Sequence, residues 1–205
     1  MRSRVIIADD HAVLRQGLRD LLSGTSDLEV VAEASDGAAA ERLARTRPAD
    51  LLLLDVALPE RRGLQVLESL RRDGIALPVI VFSMYPAVPY AEHARRAGAQ
   101  GYVAKDADSS ELLRAIRRVL AGGTSFPGRR GAGPRHGSGD PFAPLSAREV
   151  EVMIGLLAGS SLLQIAAAAG ITPKTVTTYR RRLLDKLGVR SNAELAALAE
   201  RHRKL

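Results

Sequence analysis

Three carboxylates, a hydroxyl and an ammonium occupy matching places along the first half of this sequence. Asp9 and Asp10 follow the apolar run Val5–Ala8, Asp55 follows Leu51–Leu54, Ser83 follows Val79–Phe82, and Lys105 follows Tyr102–Ala104. Clustered carboxylates repel one another unless a hard cation joins them, and Mg²⁺ favours a few carboxylates together with waters and phosphate oxygens. One carboxylate of such a set can act as a nucleophile and form an acyl phosphate. A hydroxyl can donate to one phosphoryl oxygen while an ammonium pairs with another. Together the five residues suggest Mg²⁺-dependent phosphoryl acceptance.

That chemistry requires elements that bring distant residues together. The four runs are continuously apolar, too short for helices, and separated by helical patterns long enough to cross over, so they read as buried parallel strands. In an open α/β sheet the crevice outside the carboxyl ends of the strands is where ligands bind, and all five residues converge there. Simpler readings exist for each residue alone. Asp9 and Asp10 could cap a helix carrying Leu14, Leu18, Leu21 and Leu22. Asp55 could be a loop carboxylate ahead of a turn at Pro59, and Ser83 or Lys105 could be solvated. Their joint occurrence in one order favours a shared site.

With 205 residues the chain can hold two small domains with real cores. It has no cysteine, which excludes a disulfide scaffold and a thiolate zinc site. Only four apolar residues separate the basic start from the two aspartates, too few for a signal peptide, and no apolar run approaches membrane-spanning length. The expectation is a cytoplasmic protein without membrane contact. Residues 1–121 have equal numbers of acidic and basic side chains, residues 122–144 a net charge of +2, and residues 145–205 a net charge of +5. A small basic domain suits a phosphate-backbone partner, although a solvated basic face gives the same count.

The domain boundary falls in residues 122–144, where eleven of 23 residues are Gly or Pro. Such a stretch buries little and reads as a flexible tether whose ends average roughly 25 Å apart. Beyond it the pattern is all-helical. Ser146 stands three residues before Glu149 and predicts a capping box opening a helix through Val150, Met153, Ile154 and Leu157, with Gly159 ending it. A second helix covers Leu162 to Ala169 and stops at Gly170; a third begins at Pro173 with Thr172 as its cap and runs to Leu187. On the third, Val176, Leu183 and Leu187 share the inward face while Lys174, Thr178, Arg181 and Asp185 lie opposite, flanked by Thr177 and Arg182. Two short helices leading into this one make a helix-turn-helix, and the last helix, Asn192 to about Glu200, closes the core.

The motifs Ala8-Asp9-Asp10-His11, Asp55-Val56-Ala57-Leu58-Pro59, Ser83-Met84-Tyr85 and Ala97–Asp106 resemble the landmarks of receiver domains in two-component response regulators. Leu145–Glu149, Ile165-Ala166, Thr175–Tyr179 and Lys186–Val189 resemble the LuxR-type helix-turn-helix domain, so the chain is similar to the NarL/FixJ class as a whole. The resemblance implies a flavodoxin-like (CheY-like) receiver over residues 1–121, with a doubly wound five-stranded parallel sheet. It further implies a tether over 122–144 and a small all-α DNA-binding domain over 145–205. By the same resemblance Asp55 accepts phosphate from a sensor histidine kinase, and Asp10, Asp55 and the Ala57 carbonyl hold Mg²⁺ with Asp9 close by. Ser83 and Lys105 bind the phosphoryl group and Tyr102 is an aromatic switch. Thr177, Thr178 and Arg181 face bases, while Lys174, Thr175, Arg180 and Arg182 contact phosphates.

Several positions depart from the family pattern. Asp106 follows Lys105 where proline is common in receivers generally, Ala57 replaces a longer side chain, and Glu60-Arg61-Arg62 replaces a small, apolar and acidic stretch. Tyr179 stands where histidine is common, and Ser161–Gln164 replaces a more polar stretch. The function implied is a phosphorylation-controlled transcription factor acting on promoter DNA, as a homodimer when phosphorylated or DNA-bound. The alternatives are a phosphorylation-independent DNA binder whose receiver is a protein-interaction platform, and a phosphohydrolase with Asp55 as nucleophile. The second lacks a general acid, since Ala57 occupies the place two residues after Asp55.

Overall fold

A computed structural model describes residues 2–84, 87–127, 141, 142 and 144–203. The chain divides into two compact units, Met1–Gly131 and Ala132–Leu205. Most of the expected tether, residues 128–140 and 143, lies outside the described residues, as does Tyr85.

The first unit alternates strand and helix: β1 (Ser3–Ala8), α1 (Ala12–Ser23), β2 (Leu28–Ala34), α2 (Gly37–Thr46), β3 (Leu51–Leu54), α3 (Gly63–Arg72), β4 (Val79–Ser83), α4 (Ala87–Arg96), β5 (Gly101–Ala104) and α5 (Ser109–Leu120). All strands pair in parallel in the order β2-β1-β3-β4-β5. This is a flavodoxin-like doubly wound sheet, in which the order reverses between β1 and β3. The four apolar runs are the four inner and C-terminal strands. The strand without such a run is β2, an edge strand in which only Leu28 and Ala34 are buried and Glu29 and Glu33 interrupt the apolar residues.

Side-chain alternation divides the core between the two faces of the sheet. Val5, Ile7, Leu51, Leu53, Ile80, Phe82 and Val103 pack with Leu18 and Leu22 of α1 and with Leu112, Ala115, Ile116 and Val119 of α5. Ile6, Leu52, Leu54 and Val81 point to the other face and are fully buried as well. Each such side chain contributes about 1.5–3 kcal/mol relative to exposure, so the inner strands anchor the unit. Beyond α5, Ser125 runs beside β5: its amide donates to the Gln100 carbonyl at 2.9 Å and its carbonyl accepts from Tyr102 at 2.8 Å.

The second unit contains α6 (Ala147–Leu157), α7 (Leu162–Ala169), α8 (Pro173–Leu187) and α9 (Asn192–Arg203). Local signals set the ends. Ser146 and Glu149 form a reciprocal capping box, Ser161 and Gln164 form another, and Thr172 caps α8 ahead of Pro173. Gly188 closes α8 in the left-handed region at φ 66°, where a side chain would be strained. Phe142, Leu145, Val150, Met153, Ile165, Val176, Leu183 and Leu195 form the core. On α8 the buried stripe includes Leu184, while Leu187 is only half-buried, a modest departure from the expected inward face. Helix α9 extends three residues past the expected end. No helix among the described residues is long and apolar enough to cross a membrane.

Candidate functional site

The sheet order determines where the strand-end residues meet. β1 and β3 are neighbours, paired from Val5–Leu51 to Ala8–Leu54, so Asp9 and Asp55 emerge side by side at the point where the order reverses. The register continues through the Asp55 amide, which donates to the Ala8 carbonyl at 2.8 Å. Ser83 closes β4 and is buried, and its carbonyl accepts the Lys105 amide at 2.9 Å, which carries the β4–β5 pairing into the loop.

Lys105 joins the cluster. Its ammonium lies 2.7 Å from Asp9 Oδ2 and 2.7 Å from Asp55 Oδ2, with side-chain exposures of only 4%, 1% and 2% for the three residues. A buried charge is tolerated when paired, and here one ammonium serves two carboxylates. Burial pushes the Asp55 carboxyl above the ordinary range against the hydrogen bonds from Lys105 and the Ala57 amide, and the nearby Asp9 charge pushes it the same way. Burial by itself would lower Lys105, but hydrogen bonds to Asp55 and Asp9 outweigh it and hold the ammonium above its usual value. Both features suit a nucleophilic carboxylate kept beside a permanent cation.

Asp10 sits at the rim, exposed, with its Oδ1 2.7 Å from His11 Nδ1. Asp9 Oδ1 accepts the His11 amide at 2.8 Å, and His11, the residue before α1, stands at the N-cap without a side-chain cap hydrogen bond. The capping role open to Asp9 and Asp10 on sequence grounds is therefore not the one they fill. Asp9, Asp10, His11 and Asp55 each offer one ligand atom within 4.8 Å of the others. His11 enters the cluster from its place next to Asp10, and that adjacency is the one signal of it in the sequence. The carboxylate oxygens of Asp9, Asp10 and Asp55 fit a hard cation, whereas an imidazole nitrogen does not add to such a site.

The loop after Asp55 is fixed from behind. The Gly63 amide donates to the Val56 carbonyl at 3.1 Å, and a Cβ at Gly63 would lie 2.0 Å from the Asp55 carbonyl oxygen, so only glycine lets α3 start this close. The departure at Glu60-Arg61-Arg62 takes a definite form. Glu60 has φ 60°, alone among the described non-glycine residues in being positive, and Arg61 pairs with the buried Glu41 of α2. Burial raises the Glu41 carboxyl, but hydrogen bonds from Arg45 and Ser69 and the Arg61 charge bring it below the ordinary range. Tyr102 is buried on β5.

In the second unit Lys174, Thr177, Thr178, Arg181 and Arg182 are exposed along α8, and Thr175 is half-buried. Arg180 is placed differently: its Nε donates to Asn192 Oδ1 at 2.9 Å, tying α8 to α9. The pair Glu149–Lys186, at 2.6 Å, links α6 to the end of α8, with Lys186 also donating to the Pro144 carbonyl. The Ser161–Gln164 box went unrecognised in the sequence although its S-x-x-Q signal was present.

Comparison with known proteins adds to this geometry. Residues 5–117 match the response regulator receiver domain model, and residues 143–199 match the model for bacterial regulatory proteins of the luxR family. The chain is 39% identical over 200 residues to the nitrate/nitrite response regulator protein NarP of Escherichia coli K12, covering 95% of this chain and 93% of that one. It is 35% identical over 207 residues to BvgA of Bordetella pertussis, a virulence factors putative positive transcription regulator, covering 98% and 99%. Among solved structures, the response regulator ChrA of a heme-sensing two-component system aligns over 100% of this chain and 99% of its own, with 31% identity and a TM-score of 0.52. RcsB of Salmonella enterica serovar Typhimurium, bound to promoter rprA with a phosphomimetic, covers 96% and 98% at 22% identity with a TM-score of 0.66, a likeness of fold.

Proposed function

The chain belongs to the two-component response regulators that join a receiver domain to a LuxR-type DNA-binding domain, and on that premise we propose that Asp55 is its phosphoacceptor and that phosphorylation there controls promoter binding. It is a DNA-binding regulator of transcription, not an enzyme. The observation that carries the site reading is the Lys105 ammonium, 2.7 Å from each of two buried carboxylates at the sheet's reversal point.

In this reading an Asp55 oxygen attacks the phosphorus of a phosphohistidine on the partner kinase. The O–P bond forms as the P–N bond breaks, and the electron pair leaves with the imidazole. Asp10, Asp55 and the Ala57 carbonyl would hold Mg²⁺ with Asp9 beside them, and when bound it neutralises charge on the phosphoryl oxygens. Lys105 turns from the carboxylates to a phosphoryl oxygen, and Ser83 donates its hydroxyl to another. The modification adds about −2 of charge at Asp55. In this reading Tyr102, buried on β5, is the aromatic switch that reorients when Ser83 is drawn to the phosphoryl group and so changes the surface of α4, β5 and α5.

Residues 122–144 tether the receiver, 1–121, to the DNA-binding domain, 145–205. On DNA, Thr177, Thr178 and Arg181 face bases, and Lys174, Thr175, Arg180 and Arg182 contact phosphates; for Arg180 this means leaving Asn192. Pairing two chains raises the effective concentration of the second helix-turn-helix at a neighbouring half-site. The exposed Ala193, Ala196 and Ala197 of α9 give such a dimer a smooth face. The RcsB structure, promoter-bound with a phosphomimetic, supports the same coupling. The setting is the cytoplasm, where promoter DNA lies.

Full-length wild type and Asp55→Asn, titrated onto genomic fragments at fixed salt with and without acetyl phosphate and Mg²⁺, test this reading. Phosphoryl incorporation and tighter binding are expected in the wild type alone. Equal binding in every sample leaves a DNA-binding protein whose receiver is an interaction platform.

A further inference from the structure

We propose that Thr177 and Thr178 read the 5-methyl groups of thymine, so that this chain selects its half-sites by apolar contact at two neighbouring positions. The inference rests on the reading of α8 as the base-facing helix and names what that helix recognises.

Both threonine hydroxyls are engaged by the helix itself. Thr177 Oγ1 donates to the Pro173 carbonyl at 3.0 Å, and Thr178 Oγ1 donates to the Lys174 carbonyl at 3.1 Å. A hydroxyl has one proton, and a proton given to the preceding turn is not available to a base. The acceptors of the major groove, guanine O6 and N7, adenine N7 and thymine O4, thus find no donor at these two positions. Thr175 is committed too, its hydroxyl 2.9 Å from that of Thr172. With each proton held against the backbone, Thr177 and Thr178 present from an exposed face an oxygen left only with acceptor lone pairs and an apolar γ-methyl. The apolar group that the major groove offers in return is the thymine methyl.

Arg181 supplies the donors that the threonines withhold. It lies one turn further along α8 and is 86% exposed, and its 3.9 Å contact with Asp185 is between two exposed side chains and weak. A guanidinium so placed can meet guanine O6 and N7 together.

The test selects duplexes from a randomised pool with the full-length protein, then replaces their thymines by deoxyuridine, which removes only the methyl. Wild type, the Thr177→Ser/Thr178→Ser pair and the Thr177→Val/Thr178→Val pair are titrated at one salt concentration, with helix content checked by circular dichroism. Deoxyuridine is expected to weaken wild-type binding about fourfold for each methyl lost, the equivalent of one buried carbon. The valine pair keeps the thymine preference and the serine pair loses it. Equal wild-type affinity for thymine and deoxyuridine duplexes overturns the proposal, as does a preference kept by the serine pair and lost by the valine pair. If these variants and Arg181→Ala all leave binding to the selected duplexes unchanged, the base-facing assignment of α8 fails, and the proposal fails with it.

Discussion

The two units handle charge in opposite ways. The receiver buries its working charges: Lys105 reaches Asp55 across 50 positions of sequence and Asp9 from another strand, all nearly inaccessible to water. The DNA-binding unit displays its own along one helix, with Lys174 and Arg181 on an exposed stripe set by the helical period. A site assembled from four strand ends depends on the whole sheet, whereas a recognition surface on one helix depends on that helix and its caps. The second unit does contain a long-range pair, Glu149–Lys186, across 37 positions, but only Glu149 is buried, and the pair staples α6 to α8.

The contrast can be broken most sharply at Lys105. Lys105→Met leaves Asp9 and Asp55 buried without their counter-charge, and losing one partner of a buried pair costs about 3–5 kcal/mol. The receiver transition in calorimetry is expected to fall steeply, to recover in part with Mg²⁺, and to leave the helical unit's melting unchanged. A variant as stable as wild type without Mg²⁺ would show that the carboxylates do not rely on the ammonium.

Gly63→Ala acts on the same site through the backbone. A Cβ 2.0 Å from the Asp55 carbonyl must displace either α3 or the loop after Asp55. A loss of about 2–3 kcal/mol is expected, within the range for overpacking, together with slower phosphorylation from acetyl phosphate. Unaltered denaturant midpoint and phosphorylation rate would mean the loop yields without effect.

Glu60→Gly sharpens the comparison from the favourable side. Relief of the left-handed conformation at φ 60° is expected to stabilise the receiver by about 1 kcal/mol, read as a higher urea midpoint. No such position exists among the described residues of the helical unit, where every positive φ falls on glycine. A lower midpoint would show that the Glu60 side chain stabilises the loop more than its backbone strains it.

How legible each unit was follows from the range of its interactions. The helical unit's boundaries were readable because capping residues, Pro173 and Gly188 act within a turn of where they stand. β1, β3, β4 and β5 were readable as continuous apolar runs, but β2 was not, since Glu29 and Glu33 interrupt its apolar residues and five of its seven residues are only half-buried. The Glu41–Arg61 clamp and the Arg180–Asn192 tie were invisible because nothing in one residue's neighbourhood names a partner 20 or 12 positions away.

The sequence by itself determined which residue types stand at the strand ends, the positions of four of the five strands, the caps of α6 and α8, and the basic stripe of α8. These follow from local propensity and periodicity, which act over a few residues. Only the tertiary structure decided that one ammonium is shared by Asp9 and Asp55, that Asp10 stays at the rim beside His11, and that Gly63 bears against the back of Asp55. Those are matters of distance and direction between groups, and they become definite only when the sheet and the helices have closed around them.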